Sequence, residues 1–189
     1  MLEVKLSIKK KTASQALNDC KTRIIDLLGD HVVGEGDTTL AREVMKSLAN
    51  DNATLTVAES CTGGSISSEL TREPGISSVF ESSFVVYSDA MKIKLLGVSQ
   101  VTIEKYGVVS EEVVREMATG ALSLSGSQYV IAVSGIAGPS GGTKSKPVGT
   151  VCICWGLAEG LQTYSFHWPS ERTLFQTLIT ALSLDLLRR

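Results

Sequence analysis

Histidine is nearly missing. The 189 residues hold two, His31 and His167, and neither sits in a polar loop following a central strand, which argues against a Ser-His-Asp arrangement. The pair also offers no cluster with metal-ligand spacing. A large excess of one charge is missing as well: the net charge is −2, and the only dense basic run, Lys9-Lys10-Lys11, reads as a solvated surface, so nucleic acid is not expected as a partner. No stretch approaches the roughly 20 apolar residues of a spanning helix. Met1 to Lys11 lacks the apolar core of a signal peptide, so a cytoplasmic protein with no membrane partner is expected. Cysteine is limited to Cys20, Cys61, Cys152 and Cys154. A reducing compartment and a chain of this size remove the need for disulfides, so free thiols are predicted. Cys152 and Cys154, two apart in a strand, share one face and pack as small hydrophobes rather than as a metal site.

What remains is an ordinary globular composition, 43% hydrophobic and 20% charged, enough for one domain with a sizeable core. Ala16, Cys20, Ile24 and Leu28 predict a helix over Thr12 to Leu28. The glycines and aspartates of Gly29 to Asp37 mark a linker before a helix over Thr38 to Ala49. The expected division is therefore an extension at 1–37 and a main domain at 38–189. From Ala53 strands and helices alternate. Strands are predicted at Ala53–Ala58, Ser82–Tyr87 and Gln128–Val133, the last a nearly unbroken apolar run suited to a sheet covered on both faces. Helices are predicted at Gly63–Thr71, at Asp89–Leu96 capped by Ser88 or Asp89, and behind Ser110, where Glu111 and Glu112 favour the helix dipole. Gly149–Trp155 and Leu161–His167 read as an antiparallel hairpin. Ser170 is the expected cap of a final helix whose Leu174, Leu178, Leu182 and Leu186 share a face. The pattern predicts an α/β fold, a three-layer αβα sandwich with a mixed, mostly parallel sheet.

Three segments could carry chemistry. The run Glu59-Ser60-Cys61-Thr62-Gly63-Gly64 lies between a strand and a helix, where open α/β sheets place their sites, and free N–H groups at the helix start could bind a phosphate or an oxyanion. The bland alternative is a capping turn. A nucleophilic Ser60 needs a base, and with histidine nearly absent the candidates are lysine and tyrosine. Tyr87 and Lys92 supply both. Five residues rotate a helix by about 140°, so the two must straddle a strand-to-helix junction in order to converge. The lysine would have to be at least partly neutral. The third segment, Ser134 to Gly142 followed by Lys144 to Gly149, offers backbone donors and lysines suited to an anion.

Taken together, Val57-Ala58-Glu59-Ser60-Cys61-Thr62-Gly63-Gly64, Phe84-Val85-Val86-Tyr87-Ser88, Tyr106-Gly107-Val108-Val109-Ser110, Ser134-Gly135-Ile136-Ala137-Gly138-Pro139 and Lys146-Pro147-Val148-Gly149-Thr150-Val151 resemble the CinA C-terminal domain family, in order and from about Thr38 onward. The resemblance implies a nicotinamide-nucleotide amidase that converts nicotinamide mononucleotide to nicotinate mononucleotide and ammonia, with no cofactor and no metal, often as a homodimer. It implies Ser60 as nucleophile with Tyr87 and Lys92 moving its proton. Thr62, Gly63, Gly64, Gly135, Gly138, Lys146 and Arg172 would contact the small nucleotide substrate, Arg172 at the phosphate. One departure stands out: Pro169-Ser170-Glu171-Arg172 replaces the family's frequent Gly-Asp-Arg run. The competing class is a non-catalytic nucleotide- or phosphate-binding module of the same fold. A short-chain dehydrogenase, which also uses Ser, Tyr and Lys, fails on the Tyr-to-Lys spacing and on the missing dinucleotide fingerprint.

Overall fold

The computed structural model describes residues 4–7 and 14–189. The Lys9 to Lys11 run and the first two residues of the predicted N-terminal helix, Thr12 and Ala13, lie outside them. The chain divides into two compact units, one ending at Asp37 and the other Thr38–Arg189. In the first, helix α1 spans Ser14–Leu28 and is followed by a 3-10 turn at Gly29–His31. The covered stripe is not the predicted one: Leu17, Ile24 and Ile25 are half-buried, whereas Ala16, Cys20 and Leu28 are exposed. A strict spacing of four drifts about 40° per step around a helix of 3.6 residues per turn, so Ala16 and Leu28 stand on different sides.

The second unit runs α2 (Leu40–Asn50), β1 (Leu55–Glu59), α3 (Ser65–Thr71), β2 (Phe80–Val85), α4 (Asp89–Leu96), α5 (Gln100–Tyr106), α6 (Glu111–Ser125), β3 (Tyr129–Gly135), β4 (Thr150–Leu157), β5 (Gln162–His167) and α7 (Arg172–Arg188). One five-stranded mixed sheet has the order β2-β1-β3-β4-β5. β2, β1 and β3 are parallel, and β3, β4 and β5 are antiparallel neighbours. Period-two alternation sorts the strand residues into two cores. Leu55, Val57, Ile131, Val133, Val151 and Ile153 face α2, α3 and α7 through Val44, Ile66 and Ile179. Ala58, Val130, Ala132, Cys152 and Cys154 face Val113, Val114 and Met117 of α6, with Leu96 of α4 and Ile103 of α5 on the same side. The result is the three-layer α/β sandwich expected from the alternation of elements, and all four cysteines are unbridged. Among the described residues no helix is long and apolar enough to cross a membrane.

Local signals set several boundaries. Ser88 caps α4 by accepting from the Met91 N–H (3.3 Å), and Ser110 caps α6 by accepting from the Val113 N–H (3.3 Å). Ser170 does not cap the last helix. Glu171 holds the N-cap position without a side-chain bond, and the Ser170 Oγ is buried without a partner among the described residues. The α7 stripe is also rotated from the predicted leucine ladder: Phe175, Ile179, Ser183 and Leu184 are buried and Leu174 is half exposed, because a period of four again outruns the helix.

Gly120 explains how α4 is held. A Cβ there would stand 1.9 Å from the Leu96 carbonyl oxygen and 2.7 Å from its carbon, and backbone cannot step aside as a side-chain tip can. Gly120→Ala is therefore expected to destabilise the protein by roughly 1–3 kcal/mol in urea denaturation. An unchanged midpoint would mean that α4 and α6 part freely.

Candidate active site

β1 runs to one side into β2 through α3, and β2 returns to the other side into β3 through α4, α5 and α6. The strand order thus reverses between the C-terminal ends of β1 and β3, the position at which open α/β sheets form a crevice. Ser60 lies there. Its N–H donates to the Val133 carbonyl across the gap (3.1 Å), its carbonyl accepts from the Gly63 N–H (3.1 Å), and the residue is 7% exposed. Its hydroxyl makes no side-chain hydrogen bond among the described residues and is left to an incoming group.

Glu59, which the sequence reading gave no role, builds this turn. As the last residue of β1 it shares the face of Leu55 and Val57, so its side chain passes beneath α3. The carboxylate is fully buried. Its Oε2 accepts from the Thr62 hydroxyl (2.6 Å), the Gly64 N–H (2.9 Å) and the Ile66 N–H (3.1 Å). Its Oε1 accepts from the Ser67 N–H (2.9 Å) and hydroxyl (2.5 Å). The capping signal was legible only in retrospect, since the acid lies on the preceding strand and reaches forward by up to eight residues. Gly63 and Gly64 have φ of 63° and 99°, a region glycine enters freely, and for that reason α3 starts at Ser65 rather than at the predicted Gly63.

This network corrects one expectation. The N–H groups assigned to an oxyanion or phosphate are already used: Gly63 donates to Ser60, Gly64 to Glu59 and Ser65 to Thr62, while Ile66 and Ser67 also donate to Glu59. Thr62, read as a substrate contact, is buried with its hydroxyl on Glu59.

Tyr87 and Lys92 straddle the end of β2 and the start of α4 as their spacing required. Lys92 is 1% exposed, and its ammonium donates to the Tyr87 carbonyl (3.3 Å) and pairs with Asp89 at 3.5 Å. Burial pulls its pKa below the ordinary lysine value, with Asp89 opposing the shift. It lies within electrostatic reach of Cys61, the neighbour of Ser60. Cys61 offers no thiolate at neutral pH, because burial pushes its thiol up to about 12.

Arg172 gathers the remaining pieces. Its Nη2 donates to the Tyr87 hydroxyl (2.6 Å) and its Nη1 to the Gly138 carbonyl (2.9 Å), so α7, the end of β2 and the glycine-rich segment meet at one guanidinium. One turn on, Gln176 Nε2 donates to the Cys61 carbonyl (2.9 Å). That contact spans 115 positions and has no signal in the sequence. Gly135 packs tightly: a Cβ would meet Cys61 Sγ at 3.0 Å and Phe175 Cζ at 3.2 Å. Lys146 is turned to another task, its ammonium donating to the carbonyls of Tyr106 and of Val109, the latter at 2.6 Å. A separate groove of about 310 Å³, lined by Tyr129, Trp155 and Arg188 among others, lies at the opposite end of the strands, where β3 begins and β4 ends, and does not include these residues.

The model of the CinA C-terminal domain family matches residues 37–189. A CinA-like protein of Colwellia psychrerythraea is 43% identical over the whole chain, which spans 44% of that relative's length. One of Fervidobacterium nodosum is 46% identical over 88% of the chain and 41% of its own length. The chain thus covers less than half of these curated relatives. Among solved structures, a competence/damage-inducible protein of Agrobacterium tumefaciens superposes with a TM-score of 0.75 at 34% identity, covering 78% of this chain and 90% of that one. A CinA superfamily protein of Escherichia coli gives 0.75 at 33%, over 85% and 97%. With the strand order, the Ser60 turn and the match all falling on the same residues, the chain belongs to the CinA C-terminal domain family.

Proposed function

We propose that the chain is an amidohydrolase that deamidates nicotinamide mononucleotide, with Ser60 as nucleophile. The observation that carries this reading is the burial of Lys92 beside the Ser60 turn, which favours the neutral amine a general base must present. In the proposed reaction Ser60 Oγ attacks the carboxamide carbon as its proton passes to Lys92 Nζ. The tetrahedral intermediate collapses as Tyr87, relaying a proton from Lys92, protonates the leaving nitrogen, and ammonia departs. Water then attacks the acyl ester as Lys92 takes its proton, the bond from the acyl carbon to Ser60 Oγ breaks as Lys92 returns that proton to Oγ, and nicotinate mononucleotide, free Ser60 and neutral Lys92 result. Arg172, which bonds the Tyr87 hydroxyl and the Gly138 carbonyl, is the cation assigned to the phosphate in this reading. No metal or cofactor enters these steps.

A second reading has its own support. The Lys92 ammonium is held by Tyr87 and Asp89 rather than by the Ser60 hydroxyl, as suits a non-catalytic nucleotide-binding module. Ammonia release by the purified chain decides between them. Nicotinamide mononucleotide is expected to yield ammonia and nicotinate mononucleotide in equal amounts. A folded protein that binds this nucleotide yet releases no ammonia from it or from other pyridine nucleotides would establish the binding module instead.

A further inference from the structure

The Glu59 carboxylate has no part in the steps above, yet it is fully buried, adjacent to Ser60 and satisfied by five donors. A carboxyl group tolerates full burial only when its oxygens are hydrogen-bonded, and donors aimed at one side chain fix the backbone that carries them. All five donors belong to residues 62–67, so the carboxylate grips the segment that follows Ser60 and leaves the nucleophile itself untouched. Its two oxygens also take the Gly64, Ile66 and Ser67 N–H groups at the start of α3, which leaves none of those three for a second acceptor. Of the N–H groups between Cys61 and Ser67, those from Gly63 onward are spent internally. The donors that follow the nucleophile directly, the Cys61 and Thr62 N–H groups, meet no oxygen acceptor among the described residues and are turned toward the Cys61 sulfur. Cys61 is pinned from its other side by Gln176 on its carbonyl and by the close approach of Gly135.

We infer that Glu59 is a positioning residue: by holding Thr62 through Ser67 it fixes the Ser60 turn, so that the Ser60 hydroxyl and the Cys61 N–H face the same incoming carbonyl, the first as nucleophile and the second as oxyanion donor. The inference rests on the amidohydrolase reading only for the identity of the substrate. The glycine pair therefore serves the backbone path of the turn and not the binding of a phosphate. Thr62 acts through Glu59, not through contact with the nucleotide.

The test compares Glu59→Gln and Thr62→Val with the wild type, each normalised to its folded fraction from thermal denaturation. Three quantities are read: kcat and KM for nicotinamide mononucleotide, and the rate at which a fluorophosphonate phosphonylates Ser60 Oγ with loss of fluoride. Glu59→Gln keeps the shape but presents an NH2 group to N–H donors, and a displacement of about 1 Å is expected to lower kcat and the labelling rate roughly 10²-fold with KM little changed. Thr62→Val removes one of the five donors and is expected to lower both rates less, again without raising KM. Labelling and kcat per folded molecule that match the wild type would overturn the proposal and leave Glu59 as a helix cap alone. A raised KM in Thr62→Val with unchanged labelling would overturn the role given to Thr62. If Glu59→Gln does not fold, Thr62→Val decides by itself. A wild type that is labelled at Ser60 but releases no ammonia would sink the amidohydrolase reading while leaving the Glu59 assignment standing, and a wild type whose Ser60 is not labelled would sink the assignment.

Discussion

Ser60→Ala is expected to reduce ammonia release from nicotinamide mononucleotide by roughly 10⁴-fold or more while leaving thermal stability within about 0.5 kcal/mol of the wild type. The two halves of this outcome have separate causes. Activity is lost because no neighbour can replace the hydroxyl: Cys61 is 4% exposed with its thiol held up to about 12, and the Thr62 hydroxyl is committed to Glu59. Stability is retained because the Ser60 side chain makes no hydrogen bond among the described residues, while the bond from its N–H to Val133 belongs to the backbone and survives in alanine. Ammonia assays beside melting curves check both. A variant as active as the wild type would remove Ser60 from the chemistry, and one that unfolds would make it structural.

Lys92→Met is expected to lower activity while holding or raising stability. Ammonia release should fall by roughly 10³-fold or more, since a thioether accepts no proton. Stability should hold or rise by about 1 kcal/mol, since methionine fills a similar volume without a charge to desolvate. The pH dependence gives a sharper check. The folded-state pKa of Lys92 lies below the unfolded value near 10.5, and burial is the main cause. Below the folded pKa, lysine is charged in both states and the burial penalty is carried in full. Between the folded and unfolded values the unfolded chain binds more protons, so the stability of the wild type relative to Lys92→Met should climb with pH through that window. The activity of the wild type should rise over the lower part of the same window as the amine loses its proton. Melting curves of both proteins at neutral and alkaline pH would show the gap closing. A gap that is constant with pH, or a methionine variant several degrees less stable, would mean that Lys92 is held charged as a structural cation.

How much of this was legible in the sequence depends on how far each interaction reaches. α4 was read with its observed bounds, Asp89–Leu96, Ser110 was named as a cap and Ser88 as one of two candidates beside Asp89, because a cap is decided within three residues. The β4–β5 hairpin was also visible, since alternation and the glycine of the connection lie close together. β2 was placed two residues late: its bounds come from parallel pairing with β1, which starts at Leu55↔Phe80, and local composition does not contain that register. The leucine ladder of α7 failed for a different reason. Four-residue spacing only approximates helical rotation, and packing against α2 and α3 chose Phe175 and Ile179 instead. In the site, Ser60, Tyr87 and Lys92 were named from residue type and from their junction geometry. Glu59 and Gln176 were not given roles, one because it caps a helix from the strand before it and the other because its partner is remote in sequence. Gly63, Gly64, Thr62 and Lys146 were read as ligand contacts, yet in the structure their polar groups are engaged inside the protein.

The Gln176 contact with Cys61 has a consequence in time. A ribosome adding about 5–20 residues per second exposes the Ser60 turn on the order of ten seconds before the residues of α7 that close over it. During that interval the bonds of Glu59 to residues 62–67 can form alone, since every partner is already made. The side of β1 that awaits Phe175 and Ile179 is covered in that interval only by its sequence neighbours α2 and α3, through Val44 and Ile66. The order of synthesis therefore assembles the Ser60 turn first and its enclosure by α7 last.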